Sequence, residues 1–194
     1  MYKRQGQDWG APGQLDDDAP VVCSDAELAR LVAESRRGHE DLGPVGLIGG
    51  DLAKTAGSRG SRDRLRSNEA VQLPMDVGSV LVDGRLHWFA AHLIARRSWW
   101  HGRVLAVMNA QWRGSWDVAP RSHPNDGLLD VFDSDLGLGD RLKARRRLRT
   151  GTHVPHPGIR QQRTAALQVD LDRPTPVWLD GVRLAPARNL VIRV

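Results

Sequence analysis

The residues best suited to chemistry are concentrated between Asn109 and Val131. There the chain reads Asn109-Ala110-Gln111-Trp112-Arg113-Gly114-Ser115-Trp116-Asp117-Val118-Ala119-Pro120, then Arg121-Ser122-His123-Pro124-Asn125-Asp126-Gly127-Leu128-Leu129-Asp130-Val131. A tight glycine-containing turn can expose backbone carbonyls on the same side as a carboxylate, and hard cations such as Mg²⁺ take oxygen ligands of that kind while keeping their remaining waters. Asp126-Gly127-Leu128 therefore reads either as a cation-holding turn or as a plain hairpin turn. Two other places can meet an anion. Gly49-Gly50 precedes a helical pattern starting at Asp51, so its N–H groups can approach a phosphate closely; the same pair is also a common strand-to-helix connector. Val21-Val22-Cys23-Ser24-Asp25 likewise leads from a strand into a helix, with Ser24 or Asp25 as N-cap. The histidines His39, His92, His101, His153 and His156 show no metal-ligand spacing with Cys or Glu.

Two kinds of structure have to position these groups. Up to residue 57 the pattern alternates: a β-branched run at 18–22, a helix over 26–37 with Leu28, Leu31 and Val32 on one face, a strand at 44–48 and a helical turn at 51–56. That order predicts the tail of an α/β domain. Residues 58–68, rich in Arg, Gly and Ser, read as a linker or exposed crossover. From residue 70 short strands recur, at 70–82, 86–94, 103–110, 116–119, 128–133, 165–171, 177–179 and 190–194, with Asp83-Gly84 and Asp180-Gly181 as hairpin turns. This predicts an antiparallel β-sandwich. One helix interrupts it at 139–149, with Leu138, Leu142 and Leu148 as apolar anchors. The expected fold is α+β: an α/β remnant at 21–69 and a β-sandwich domain at 70–194. Met1 to Gln5 reads as the in-frame product of a transposon adapter, which would place the natural sequence upstream of Gly6. Residues 1–20 as a whole are expected to be adapter-derived and disordered.

The 194 residues, 40% hydrophobic, suffice for one good core or two small ones. The formal charge of +5 is carried almost wholly by arginine, since Lys3, Lys54 and Lys143 are the only lysines, and it favours anionic partners. The single cysteine, Cys23, excludes an intramolecular disulfide and zinc-finger spacing, and fits a reducing cytoplasm. No apolar run approaches the ~20 residues that a membrane-spanning helix needs, so the reading is a soluble cytoplasmic protein or one peripheral at the inner face of the membrane. Trp99-Trp100, flanked by Arg96, Arg97 and Arg103, either rests at an anionic membrane interface or packs in the core. Lys143, Arg145, Arg146, Arg147 and Arg149 could contact phosphates, but no helix-turn-helix, zinc or ribonucleoprotein motif accompanies them. Nucleic acid is not an expected partner, and a homodimer stays open.

The string from Asn109 to Val131 resembles the diacylglycerol kinase and sphingosine-kinase-like lipid kinases, including the YegS-like bacterial enzymes of the NAD kinase/diacylglycerol kinase-like superfamily. Their β-sandwich domain carries Asn-Gly-x-x-x-Gly-Gly, then Ala-Pro, then Asp-Asp-Gly-Leu-Leu-Asp-Val. Thr150-Gly151-Thr152-His153 and Leu179-Asp180-Gly181 stand where that family has a Gly-x-His segment and a Leu-Asp-Gly-Glu turn. The resemblance implies an ATP-dependent lipid kinase with an α/β nucleotide-binding domain in front of the sandwich. It also implies a structural Mg²⁺ held by the Asp126 side chain and the carbonyls of Leu128 and His123.

The departures from that pattern are specific. The family's Gly-Gly-Asp-Gly-Thr loop corresponds to Cys23-Ser24-Asp25-Ala26-Glu27, where only Asp25 survives. Side chains at the former glycines resist left-handed backbone by about 1–2 kcal/mol per residue, and Glu27 brings a negative charge. Gly49-Gly50-Asp51-Leu52-Ala53-Lys54 matches the end of a second nucleotide loop, Gly-Thr-Gly-Asn-Asp-Phe-Ala-Arg, without its threonine. Asp25, Gly49, Gly50 and Asp51 are thus the implied nucleotide residues. Where the family has its proton-accepting glutamate this chain has Val182, and loss of such a base removes ~10²–10⁴ in rate. Asp180 remains as the candidate catalytic carboxylate, although it does not occupy the position of that base. Residues 90–101 span a gap that holds a longer excursion in the family, leaving less wall for an acyl chain. The expectation is a diacylglycerol-kinase-like protein with impaired catalysis, or a non-catalytic pseudokinase that binds a lipid, a membrane surface or a protein partner.

Overall fold

The computed structural model describes residues 10–58 and 60–194; the adapter reading of Met1 to Gln5 lies outside the described residues. Ala11–Pro12 (β1) forms a short strand, and Leu15 N donates to the Leu65 carbonyl at 2.8 Å. Val21–Val22 (β2) leads into Asp25–Gly38 (α1), and Gly46–Leu47 (β3) returns parallel to β2 with Val21 opposite Gly46. The helix has matching charges at its ends, Asp25 and Glu27 in the first turn and Arg36 and Arg37 in the last, as the macrodipole favours. Asp51–Thr55 (α2) follows. The segment expected as a linker contains Arg62–Leu65 (α3), capped by Ser61. Val71–Gln72 (β4) then pairs back onto β1.

The sandwich comprises Gly78–Val82 (β5), Arg85–Phe89 (β6), His92–Arg96 (β7), Val104–Met108 (β8), the hairpin of Trp112–Arg113 (β9) and Trp116–Asp117 (β10), Leu129–Ser134 (β11), the helix Leu138–Arg147 (α4), Ile159–Thr164 (β12), Ala166–Thr175 (β13), Val177–Leu179 (β14), Val182–Arg183 (β15) and Ala187–Arg193 (β16). A six-stranded sheet has the order β12-β11-β8-β7-β14-β15 and a four-stranded sheet the order β13-β16-β5-β6. All their pairings are antiparallel.

Alternation with a period of two divides the strands between faces. Leu93, Leu105, Val107, Leu129 and Val131 point inward against Val80, Phe89, Leu190 and Ile192. Ile94, Ala106, Met108 and Phe132 point outward, where Trp99, Trp116, Leu148, Val154, Ile159 and Trp178 cover them. A third cluster joins Val22, Leu28, Val32 and Leu52 of the α/β unit to Ala90, Ala91 and Ala110 of the sandwich. The two parts therefore share a core.

Three sequence expectations are corrected. Residues 86–94 do not form one strand: the chain crosses from the four-stranded to the six-stranded sheet at Ala90-Ala91, so β6 and β7 belong to different layers. Strand β12 has the sequence Ile-Arg-Gln-Gln-Arg-Thr and escapes hydrophobic patterning because it is a mostly exposed edge strand. In α4 the intended anchors Leu138 and Leu142 are exposed, and the buried residue is Arg141. Among the described residues no helix is long and apolar enough to cross a membrane.

Candidate functional site

The β2–α1 turn, where the resemblance places a phosphate loop, is closed by its own side chains. Ser24 Oγ accepts from Glu27 N at 3.2 Å, and Glu27 Oε2 accepts from Cys23 N at 2.7 Å. This is a near relative of the capping box, with the glutamate reaching one residue further back. Asp25, in the same turn, points across to α2. Its Oδ2 accepts from Asp51 N at 2.6 Å and its Oδ1 from Leu52 N at 3.0 Å. A carboxylate of the chain thus meets the N–H groups that open α2. Burial raises the pKa of Asp25, and the two N–H bonds oppose that rise. Gly50 has φ +96, and a Cβ there would lie 2.5 Å from Asp25 Oδ1; glycine is needed for both reasons.

From α2 a chain of polar contacts runs into the sandwich. Asp51 Oδ1 accepts from Gly114 N at 2.7 Å, and Asp51 Oδ2 lies 3.2 Å from Nε2 of the buried His92. Lys54 Nζ donates to the Gly114 carbonyl at 2.9 Å and sits 3.7 Å above the Trp112 ring, while Thr55 Oγ1 accepts from Gln111 N. One face of α2 is in this way bolted to the β9–β10 hairpin.

Asp180 is placed in the strand-switch corner. It has φ 48 and Gly181 has φ 85, a left-handed pair that Asp-Gly supplies readily. That turn folds its carboxylate over the corner, where it accepts from Ala90 N at 2.7 Å, Ala91 N at 2.8 Å and His92 N at 2.9 Å. Burial raises its pKa and these N–H groups pull it back. The other Asp-Gly hairpin behaves alike: Asp83, at φ 45, accepts from Arg188 N and Asn189 N. The carboxylate expected to be catalytic is thus engaged in holding backbone at this corner. Val182 is 52% exposed and carries no acceptor.

Sequence reasoning missed His92 and the positioning role of Asn109. His92 had no spacing partner to betray it. Asn109 lay in plain sight within the motif; fully buried, it donates to the carbonyls of Asp76 and Ala90 and so fixes the corner from the other side. His153 is buried against Phe132, with ring centroids 5.8 Å apart, and burial lowers its pKa.

At the other end of the motif, Gly127 N donates to Asp76 Oδ2 at 2.8 Å and Leu128 N to Asp126 Oδ1 at 3.0 Å. Asp126 Oδ2 is paired with the guanidinium of Arg163, whose Nε also lies 3.4 Å from Oδ1 of the buried Asp130. Burial pushes Asp130 up to about 6, with Arg163 pulling down and Asp126 pushing up. The His123 carbonyl accepts from Asn125 N at 2.7 Å. The implied Mg²⁺ ligands His123, Asp126 and Leu128 do lie in one turn, but their arrangement does not fit a divalent ion. Both oxygens of the one carboxylate are engaged, and one of them already faces a cation. Among the described residues no group of three or more His, Cys, Asp or Glu is placed to hold a metal ion.

Residues 74–192 match the YegS C-terminal NAD kinase beta sandwich-like domain. The chain belongs to that family. Among solved structures, a diacylglycerol kinase from Bacillus anthracis strain Sterne aligns with a TM-score of 0.51 and 14% identity, over 91% of this chain and 73% of that one; this supports the shared fold. Two further structures from the same organism align at TM-scores of 0.37 and 0.35 and at 13% and 12% identity, over 61% and 62% of this chain. This chain covers 37% and 36% of their length. No curated protein matches. The YegS-like match takes in Asn109, Asp126, Asp180 and Val182, whereas Asp25, Gly49, Gly50 and Asp51 lie before its first residue.

Proposed function

We propose that this chain is a member of the YegS-like lipid-kinase family that does not transfer phosphate from ATP and acts instead through its sandwich at a lipid surface. The observation that carries the reading is internal capping. Both helix starts that the resemblance assigns to nucleotide phosphates are met by the chain's own carboxylates, Glu27 at α1 and Asp25 at α2. A phosphate brought within about 4 Å of either carboxylate meets about 4 kcal/mol of repulsion at an effective dielectric constant of about 20, close to a thousandfold in affinity. Val182, standing where the family's proton acceptor would be, removes a further ~10²–10⁴ from the rate. At the Asp126 turn we assign the counter-charge to Arg163 in place of Mg²⁺.

The test is a direct one. The full chain, incubated with Mg·ATP and diacylglycerol in mixed micelles, should form no phosphatidic acid, and titration calorimetry with Mg·ATP should give no binding heat. Phosphatidic acid formation that requires ATP and disappears in Asp25→Ala would refute the proposal.

A further inference from the structure

Helix α4 turns an arginine toward the protein and leaves two leucines, among basic side chains, toward water. Its buried residue, Arg141, donates to the carbonyls of Leu136, Gly102 and Trp99 and pairs with Asp135 at 3.4 Å. Leu138 and Leu142 are 58% and 46% exposed, and Trp100, on the loop that Arg141 grips, is 49% exposed. An ordinary surface helix turns its leucines to the core. Here the guanidinium anchors the helix and leaves the leucines outside.

The rim of this apolar patch is cationic. Trp100 and Leu142 line one shallow concavity with Trp116, Arg145, Arg146 and Arg149. Arg145 lies over the rings of Trp100 and Trp116, at 5.2 and 5.6 Å from their centroids. Among the described residues, Arg145, Arg146, Arg147 and Arg149 have no carboxylate partner, whereas Lys143 on the same helix pairs with Asp140. Beneath them Arg113 stacks over Trp99 and Trp116, and Arg96 between Trp99 and Trp178. The interfacial set expected from sequence is redistributed: Trp99 is packed edge-to-face on Trp116, and Arg103 is paired with Asp133 elsewhere.

We infer that the face formed by Trp100, Leu138, Leu142, Arg145, Arg146 and Arg149 docks onto an anionic phospholipid bilayer. Apolar side chains that enter the headgroup region, an indole at its edge and unpaired arginines around them match the layered chemistry of such a surface. A nucleic acid would use the arginines and leave Leu138 and Leu142 in water. A second copy related by a two-fold axis would set these arginines against one another. The face also adjoins the candidate site, because Trp116 lies two residues from Gly114, whose N–H is bound by Asp51; docking brings the α2 corner near the headgroups. The inference rests on the lipid-surface half of the proposed function and is independent of whether phosphate is transferred.

Flotation of the full chain with vesicles tests it. The protein should float at low salt with phosphatidylcholine vesicles containing phosphatidylglycerol, should stay behind with pure phosphatidylcholine, and should be released by high salt. Each arginine near an anionic surface is worth roughly a fivefold change, so R145Q/R146Q/R149Q should partition about a hundredfold more weakly. The charge-matched control R36Q/R160Q/R173Q should partition like the parent. Trp100→Ala should weaken partitioning about tenfold with an unchanged melting temperature. Absence of flotation by the parent, or equal flotation of the two triple variants, would overturn the docking face. Preference for duplex DNA over the anionic vesicles, or a dimer broken by Trp100→Ala, would overturn it too. Because no ATP enters this assay, its failure is distinguishable from failure of the non-transfer reading.

Discussion

Asp130 gives an unusual pH dependence that Asp130→Asn should abolish. The residue is 1% exposed, on β11 opposite Arg163 of β12, and burial lifts its pKa from 3.8 to about 6. Between those values the folded chain holds a proton that the unfolded chain has released. This contribution is therefore full on the acid side and is lost as pH rises from about 4 through about 6, the reverse of a carboxylate with a depressed pKa. A rise of that size corresponds to about 3 kcal/mol at ~1.36 kcal/mol per pH unit. Arg163 sits close enough to move when its partner changes, so the observed effect should fall between about 1.5 and 3 kcal/mol. Asparagine keeps the shape without the charge. Urea unfolding followed by tryptophan fluorescence should show parent and variant nearly alike near pH 4. By pH 7.5 the variant should pull ahead, with a midpoint about 1 M higher for an m-value of about 2 kcal/mol/M. A variant that is less stable than the parent at pH 7.5, or a difference that does not change with pH, would refute both the burial cost and the inferred protonation.

Arg163→Ala should lower the melting temperature by about 6 °C, from about 2 kcal/mol of lost charged hydrogen bonding; it should also create a Mg²⁺-dependent rise in that temperature which the parent lacks, read by thermal shift with and without chelator. Asp180→Ala leaves three N–H groups of the sheet-switch corner without an acceptor and should cost about 4 kcal/mol. Asp83→Ala, which strips an exposed turn, should cost about 1 kcal/mol, and comparable losses in the two variants would contradict the assigned roles. Arg141→Ala should cost about 2–3 kcal/mol and free α4, seen as faster trypsin cleavage after Arg145 to Arg149; unchanged cleavage would mean that the helix is held by something else.

The β-sandwich was legible in sequence because its strands alternate on a dry core, and Asp83-Gly84 and Asp180-Gly181 marked two of its hairpins correctly. The capped start of α1 was partly legible in Ser24, whereas Glu27 was read only as a negative charge and its bond to Cys23 N was not foreseen. What escaped was whatever depended on a distant partner. Asp180 carries the same letters whether its carboxylate faces a substrate or a strand-switch corner; only the position of Ala90, Ala91 and His92 decides between them. The Asp126 turn is a similar case, since the residue that occupies its carboxylate, Arg163, stands 37 positions away on a strand with no hydrophobic pattern. The outward placement of Leu138 and Leu142 was hidden because leucines at helical spacing normally point inward.

Charge is distributed with a consistency that none of these sites shows alone. Asp25, Asp83 and Asp180 are each spent on backbone N–H groups of the chain itself, and Asp126 is spent on Arg163. Where a phosphotransferase needs free carboxylates and free N–H groups turned toward a ligand, this chain turns them toward each other. Arg145, Arg146 and Arg147 of α4 are the converse: unlike Arg141, which pairs with Asp135, they lack carboxylate partners among the described residues and keep their positive charge facing outward. A carboxylate used as a cap rigidifies the site it closes, whereas a guanidinium left unpaired beside exposed leucines retains binding free energy for an outside surface. The proposed absence of phosphate transfer and the proposed docking face are thus compatible on one scaffold. The first acts at the α2 corner and the second at the α4 face, through different side chains, so substitution at either should leave the other's readout intact.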